Sequence, residues 1–275
     1  MERVNARLLG AVAVTAGVAG AVGALGAAAG VGARHLLTRQ AATARAIIGK
    51  PLGEVAPDAD KRYKKRYGDP IQLLVLGDSI AEDGGGTLGA RLSKKIAKAT
   101  HRSVDLTTGA FVGAETSQVM AQIDALRPTY RADVAVLIVG GNDVIHRVPV
   151  AESAKQLTDI VVRLRDLDVP VVVGTCPDLG ALRAVPNPLR ALGARVSRQL
   201  AAAQTEAALA AGAYVVSLAK VVGPFFITNP DEMFSLDRFH PSELGYKRTA
   251  EALLPSVLVA IGVSDTVPFG HRIPT

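Results

Sequence analysis

Apolar residues are gathered into short uninterrupted runs at residues 73–76, 134–139, 169–174 and 214–218, with a weaker run at residues 104–108. Such runs suit strands covered on both faces, because a sheet buried between helices leaves no polar side to alternate with. Between them lie amphipathic stretches at residues 87–98, 116–126, 151–167 and 189–211, with apolar positions at helical spacing. Residues 242–261 add a closing helix, with Pro241 near its start, where a missing amide donor costs least. The alternation predicts an α/β fold in which crossover helices join the strands of a parallel sheet. We expect one globular domain over residues 70–262 and an irregular tail over residues 263–275.

The pattern upstream is different. No charged residue occurs from Leu8 to Ala33, and Arg3 and Arg7 flank the stretch on one side and Arg34, His35 and Arg39 on the other. A helix needs roughly 20 apolar residues to span a bilayer, so residues 1–40 read as a signal or anchor segment, with membrane association through residues 8–33 and an exported or membrane-anchored location. Residues 41–69 read as a basic linker. It ends in Lys61-Arg62-Tyr63-Lys64-Lys65-Arg66-Tyr67, a solvated or lipid-facing patch with no other nucleic-acid signature in the chain.

Composition narrows the chemistry further. The 275 residues are 49% hydrophobic, enough for one sizeable core, and the formal charge of +6 sits mainly near the amino terminus. The single cysteine, Cys176, excludes an intramolecular disulfide and a cysteine-based zinc site. It reads as a buried residue at a strand end.

Three polar clusters fall where the alternation puts strand ends or loops: Gly77-Asp78-Ser79, Gly140-Gly141-Asn142-Asp143, and Asp237-Arg238-Phe239-His240-Pro241. Ligands collect at the carboxyl ends of parallel strands, so these clusters are expected to meet at one edge of the sheet. Asn142 is then placed to donate to an oxyanion. The spacing of Asp237 and His240 lets a carboxylate orient an imidazole that deprotonates Ser79. Asp78 and Asp143 read as turn braces that accept backbone hydrogen bonds. Of the other histidines, only His146 follows a cluster closely enough to reach the cleft.

Together with Gly113 in Phe111-Val112-Gly113-Ala114-Glu115-Thr116-Ser117, the clusters resemble the four blocks of the SGNH, or GDSL, hydrolases, over about residues 73–246. The resemblance implies a three-layer α/β/α sandwich with a mostly parallel, flavodoxin-like, five-stranded sheet. It implies Ser79 as nucleophile, His240 as base, Asp237 as its partner, and an oxyanion hole of the Ser79 and Gly113 backbone amides with the Asn142 side chain. Gly109 competes with Gly113 for the second block, which reads Gly-Ala-Glu-Thr here where Gly-Asp-Thr is usual. The implied activity is hydrolysis of a small-molecule or lipid carboxylic ester through an acyl-enzyme, with no metal or cofactor required.

Two other functions compete with this reading, the first with the same residues and the second with a different loop. An O-acyltransferase would pass the acyl group to a sugar or alcohol in place of water. A nucleotide-binding domain would use Gly84-Gly85-Gly86-Thr87-Leu88-Gly89, which has the G-x-G-x-x-G spacing. In the latter, residues 78–83 separate the strand from the first glycine, and Asp105 lies nearer than the usual acidic ribose ligand.

Overall fold

The computed structural model describes residues 32–44, 59–78 and 87–274. Helix α1 covers residues 32–44. There follow β1 (Arg62–Tyr63), β2 (Pro70–Gly77), α2 (Leu88–Thr100), β3 (Ser103–Thr108), α3 (Val119–Asp124), β4 (Val134–Ile138), α4 (Gly141–His146), α5 (Val150–Arg165), β5 (Val171–Gly174), α6 (Leu189–Ala210) and β6 (Tyr214–Val216). Three short helices, α7 (Leu218–Val221), α8 (Gly223–Thr228) and α9 (Pro230–Met233), lead to α10 (Glu243–Ala260) and β7 (His271–Arg272).

The sheet order is β1-β3-β2-β4-β5-β6-β7. Its five inner strands are parallel, and the two-residue edges β1 and β7 pair antiparallel with β3 and β6. The uninterrupted apolar runs follow from burial on both faces. Leu73 and Val75 of β2 join a core with Leu92 and Ile96 of α2 and Tyr246, Leu253 and Val257 of α10. Leu74 and Leu76 face the opposite way, onto Ile123 of α3 and Leu157, Ile160 and Leu164 of α5. Two cores on two faces make the three layers that the resemblance implies.

Register sets the place of the site. Gly77, Ile138, Gly174 and Val216 are successive partners across the sheet, so β2, β4, β5 and β6 end level with one another. Strand order reverses between β3-β2 and β4. The crevice beyond that reversal is where open α/β sheets bind ligands.

Several boundaries differ from the expectation. The linker assigned to residues 41–69 includes the end of α1 and strand β1, whose Arg62 pairs with Asp105 of β3. The tail assigned to residues 263–275 is ordered enough to add β7, with Val216 opposite His271. The five-stranded sheet is therefore extended to seven. The helix expected over residues 116–126 is a 3-10 turn, Thr116–Gln118, running into α3. Residues 8–31 lie outside the described residues, and among the described residues no helix is long and apolar enough to cross a membrane.

Candidate active site

The turn leaving β2 is held by two constraints. Gly77 has φ +127°, and a Cβ there would stand 1.8 Å from the Ile138 carbonyl oxygen, so only glycine fits. Its peptide is also gripped by the buried Gln122 of α3: the Gly77 N–H donates to Oε1 at 2.9 Å, and Nε2 donates to the Gly77 carbonyl at 2.8 Å. Asp78 continues the pairing, with its N–H on the Ile138 carbonyl at 3.0 Å, and is buried. Ser79, next in sequence, lies outside the described residues, as do the glycines at 84–86.

The second cluster opens α4 immediately beyond β4. Asn142 Nδ2 donates to the Ala114 carbonyl at 3.1 Å, and Asp143 Oδ2 accepts from the Thr116 N–H at 3.1 Å. These two bonds pin the loop that carries Gly113. Glu115 adds a third tie, with Oε1 2.6 Å from His146 Nδ1. A primary amide has two N–H donors, so the Ala114 bond fixes the plane of Asn142 and leaves a second donor for a ligand.

Gly109 and Gly113 are separated by their backbones. The Gly109 N–H donates to the Val75 carbonyl at 2.9 Å, which extends the β2–β3 pairing and uses up that amide. Gly113 sits at φ +85° in an exposed turn, and its N–H makes no hydrogen bond to the described residues. Gly113 is thus the glycine whose amide is open to a ligand.

The third cluster forms a tight loop ahead of α10. The Ser235 N–H donates to the His240 carbonyl at 2.8 Å and the Ser242 N–H to the Met233 carbonyl at 2.7 Å, closing its neck. Within it Asp237 Oδ1 accepts from Ser235 Oγ at 2.5 Å, the Phe239 N–H at 2.9 Å and the His240 N–H at 3.0 Å. Asp237 Oδ2 lies 2.6 Å from His240 Nδ1. Burial works against the Asp237 charge, but the hydrogen bonds from Ser235, His240 and Phe239 and the charge of His240 outweigh it and hold the carboxyl below its usual range. An ionised carboxylate only accepts, so Nδ1 carries the proton and Nε2 of the neutral ring is the acceptor. That tautomer is the one a general base requires.

Asp78, Asn142 and His240 line one cavity of about 790 Å³, its open mouth included, beyond β2, β4 and β5. His146 is exposed and stands outside the cavity wall, tied to Glu115, so its expected place in the cleft is corrected. Cys176 is fully buried past the end of β5 and burial pushes its thiol pKa well up, as a packed residue's would be. Two glutamines carry structure that the sequence reading missed. Besides Gln122, the buried Gln204 of α6 accepts from the Cys176 N–H at 2.7 Å and donates to the Val139 carbonyl at 2.9 Å, tying β4 to β5. A polar residue recurring on the inner face of an amphipathic helix is the only signal either offers.

Comparisons with known proteins assign the chain to a family. Residues 75–248 match the GDSL-like lipase/acylhydrolase family. The chain belongs to that family. It is 37% identical over 262 residues to the GDSL-like esterase Rv1075c of Mycobacterium tuberculosis, an alignment covering 89% of this chain and 82% of that protein. In fold it is similar to an acetylxylan esterase from Geobacillus stearothermophilus (TM-score 0.52, 18% identity, 71% of this chain and 96% of that one). A lipase/acylhydrolase from Enterococcus faecalis is similar to the same degree (TM-score 0.53, 18% identity, 71% of this chain and 100% of that one).

GDSL-family membership and the described residues together weigh against a nucleotide site. Asp105, the candidate ribose ligand, is held by Arg62 through two 2.7 Å bonds and by Gln72 Nε2 at 3.1 Å. Gly89 is explained by packing, since a Cβ there would come within 3.0 Å of Leu106.

Proposed function

We propose that this carboxylic ester hydrolase works through an acyl-enzyme on Ser79, with His240 as base, Asp237 as its orienting partner, and the Asn142 amide with the Gly113 and Ser79 N–H groups as oxyanion donors. The observation that carries the proposal is the Asp237–His240 pair, held in the accepting tautomer in the same cavity as Asn142. Ser79 follows Asp78 by one residue, and Asp78 lines that cavity. Attack by the Ser79 hydroxyl on the ester carbonyl transfers its proton to His240 Nε2. The imidazolium that forms is stabilised by Asp237, and the carbonyl oxygen gains negative charge where the preorganised donors meet it. Collapse expels the alcohol, protonated by His240. Water then repeats the sequence on the acyl-enzyme and releases the acid.

The same residues serve an acyltransferase if an alcohol replaces water, and product analysis with a sugar or alcohol acceptor separates the two outcomes. The kinetic test of the mechanism is a double-mutant cycle. Ser79→Ala and His240→Ala each remove nearly all ester hydrolysis, and the double variant is hardly worse than either, because the groups act as a unit. Additive losses, or a folded Ser79→Ala protein with full activity, contradict the mechanism. We also assign the protein to the cell envelope, by export or anchoring, on the strength of the uncharged stretch from Leu8 to Ala33. Full-length protein that fractionates wholly as soluble without processing contradicts that assignment.

A further inference from the structure

Beyond its polar end, the cavity beside His240 is walled by Leu179, Leu182, Leu218, Val222, Phe226 and Phe234. We propose that this chamber receives a hydrocarbon chain of the ester, so that the protein selects esters bearing a chain longer than acetyl or methyl. The inference rests on the Ser79 mechanism and adds to it the class of substrate.

Three observations carry it. The apolar wall is continuous with the reaction centre: Phe239 packs edge-on against the His240 ring at 5.0 Å, and Phe226 edge-on against Phe234 at 4.9 Å. Leu182, Leu218 and Val222 are buried, so the wall is built into the packed domain. The polar side chains of the chamber away from the reaction centre are already engaged. Thr249 Oγ1 donates to the Gly245 carbonyl at 2.9 Å. Asp178 Oδ1 accepts from the Gly180 N–H at 2.8 Å and Oδ2 from Arg198 at 3.0 Å. A sugar placed there would lose water and find few partners for its hydroxyls, which is costly, whereas a methylene entering it leaves water at a gain of roughly fourfold in binding.

The test is a chain-length series in two arms, p-nitrophenyl esters from acetate to octanoate and acetates of n-alkyl alcohols from methyl to octyl, run alongside an acetylated sugar. The kcat/KM value rises by roughly fourfold per methylene along one arm before it levels, and that arm tells whether the acyl or the alkyl chain fills the chamber. Two variants move the profile in opposite directions. Ala181→Phe, at a buried position in the wall, lowers the ratio of long-chain to acetyl hydrolysis by about tenfold or more. Phe226→Ala shifts the maximum to a longer chain, and it decides the matter alone if Ala181→Phe fails to fold. Flat profiles in both arms, or a preference for the acetylated sugar, with esters still hydrolysed and Ser79 labelled by a fluorophosphonate, overturn the chamber and leave the mechanism standing. No hydrolysis of any ester together with no labelling of Ser79 overturns both.

Discussion

Replacing Asp237 separates orientation of the imidazole from stability of the loop. In Asp237→Asn the remaining oxygen still accepts from Ser235 Oγ, the Phe239 N–H and the His240 N–H, the three donors now on Oδ1. The amide nitrogen then meets His240 Nδ1, where a carboxylate oxygen now stands at 2.6 Å. Two donors cannot share that contact, so the ring takes the tautomer with its proton on Nε2 and can no longer accept one from Ser79. The expected loss is on the order of 10⁴ in kcat, about 5 kcal/mol of barrier, and smaller than the loss in Ser79→Ala. Stability falls by only about 1 kcal/mol, the difference between a charge-assisted and a neutral hydrogen bond. Asp237→Ala differs, because it strands the buried amide of residue 240 and the part-buried amide of residue 239 and costs about 2–4 kcal/mol in addition to activity. Steady-state kinetics on p-nitrophenyl butyrate, with urea denaturation of each variant, read both quantities. Because the native carboxyl titrates below its usual value, its contribution to stability is present above about pH 4 and is lost as the pH falls. Asp237→Asn lacks that share of the acid transition. A folded Asp237→Asn enzyme with more than about a tenth of the wild-type kcat refutes the tautomer argument.

The proposed oxyanion donor, the clamp on the β2 turn and the tail each yield a further expectation. Asn142→Ala lowers kcat by roughly a hundredfold or more with the fold retained, and loses about 1 kcal/mol with the Ala114 bond; unchanged turnover exonerates Asn142. Gln122→Leu leaves the Gly77 N–H without a partner and its carbonyl with only the long 3.4 Å bond from the Phe111 N–H, and costs about 1–3 kcal/mol in urea denaturation; a shift below about 0.5 kcal/mol contradicts the clamp. Half-buried beside Ser256 Oγ at 2.8 Å, His271 titrates below its usual value because burial disfavours its charge. The unfolded chain binds that proton near pH 6.5, so stability is complete above this value and declines as the pH falls below it. His271→Gln flattens the decline between pH 7.5 and 5, and an unchanged slope contradicts the assignment.

The inner strands were legible because burial on both faces leaves a mark in the sequence, an unbroken apolar run such as residues 134–139. Edge strands of two residues leave none. Arg62-Tyr63 and His271-Arg272 are polar or amphipathic, and only the open edges of β3 and β6 make strands of them. The blocks that line the cavity were legible, since Asn142 lies just beyond a strand end and His240 in a loop. The roles of Gly109 and Gly113 were not separable, because the difference lies in which amide the sheet consumes. Gln122 and Gln204 were invisible for a related reason: a glutamine on a helix reads as solvent-facing until the strand ends that need its amide are brought beneath it.

Ser79 as a covalent nucleophile is the claim on which the rest depends. Incubation of the purified protein with an alkyl fluorophosphonate, followed by digestion and mass spectrometry, reports on it directly. A single phosphonyl adduct on Ser79 is expected, formed in step with loss of ester hydrolysis, absent from Ser79→Ala and greatly slowed in His240→Ala. Stoichiometric modification of another residue with loss of activity, or full activity after Ser79 is replaced, contradicts it.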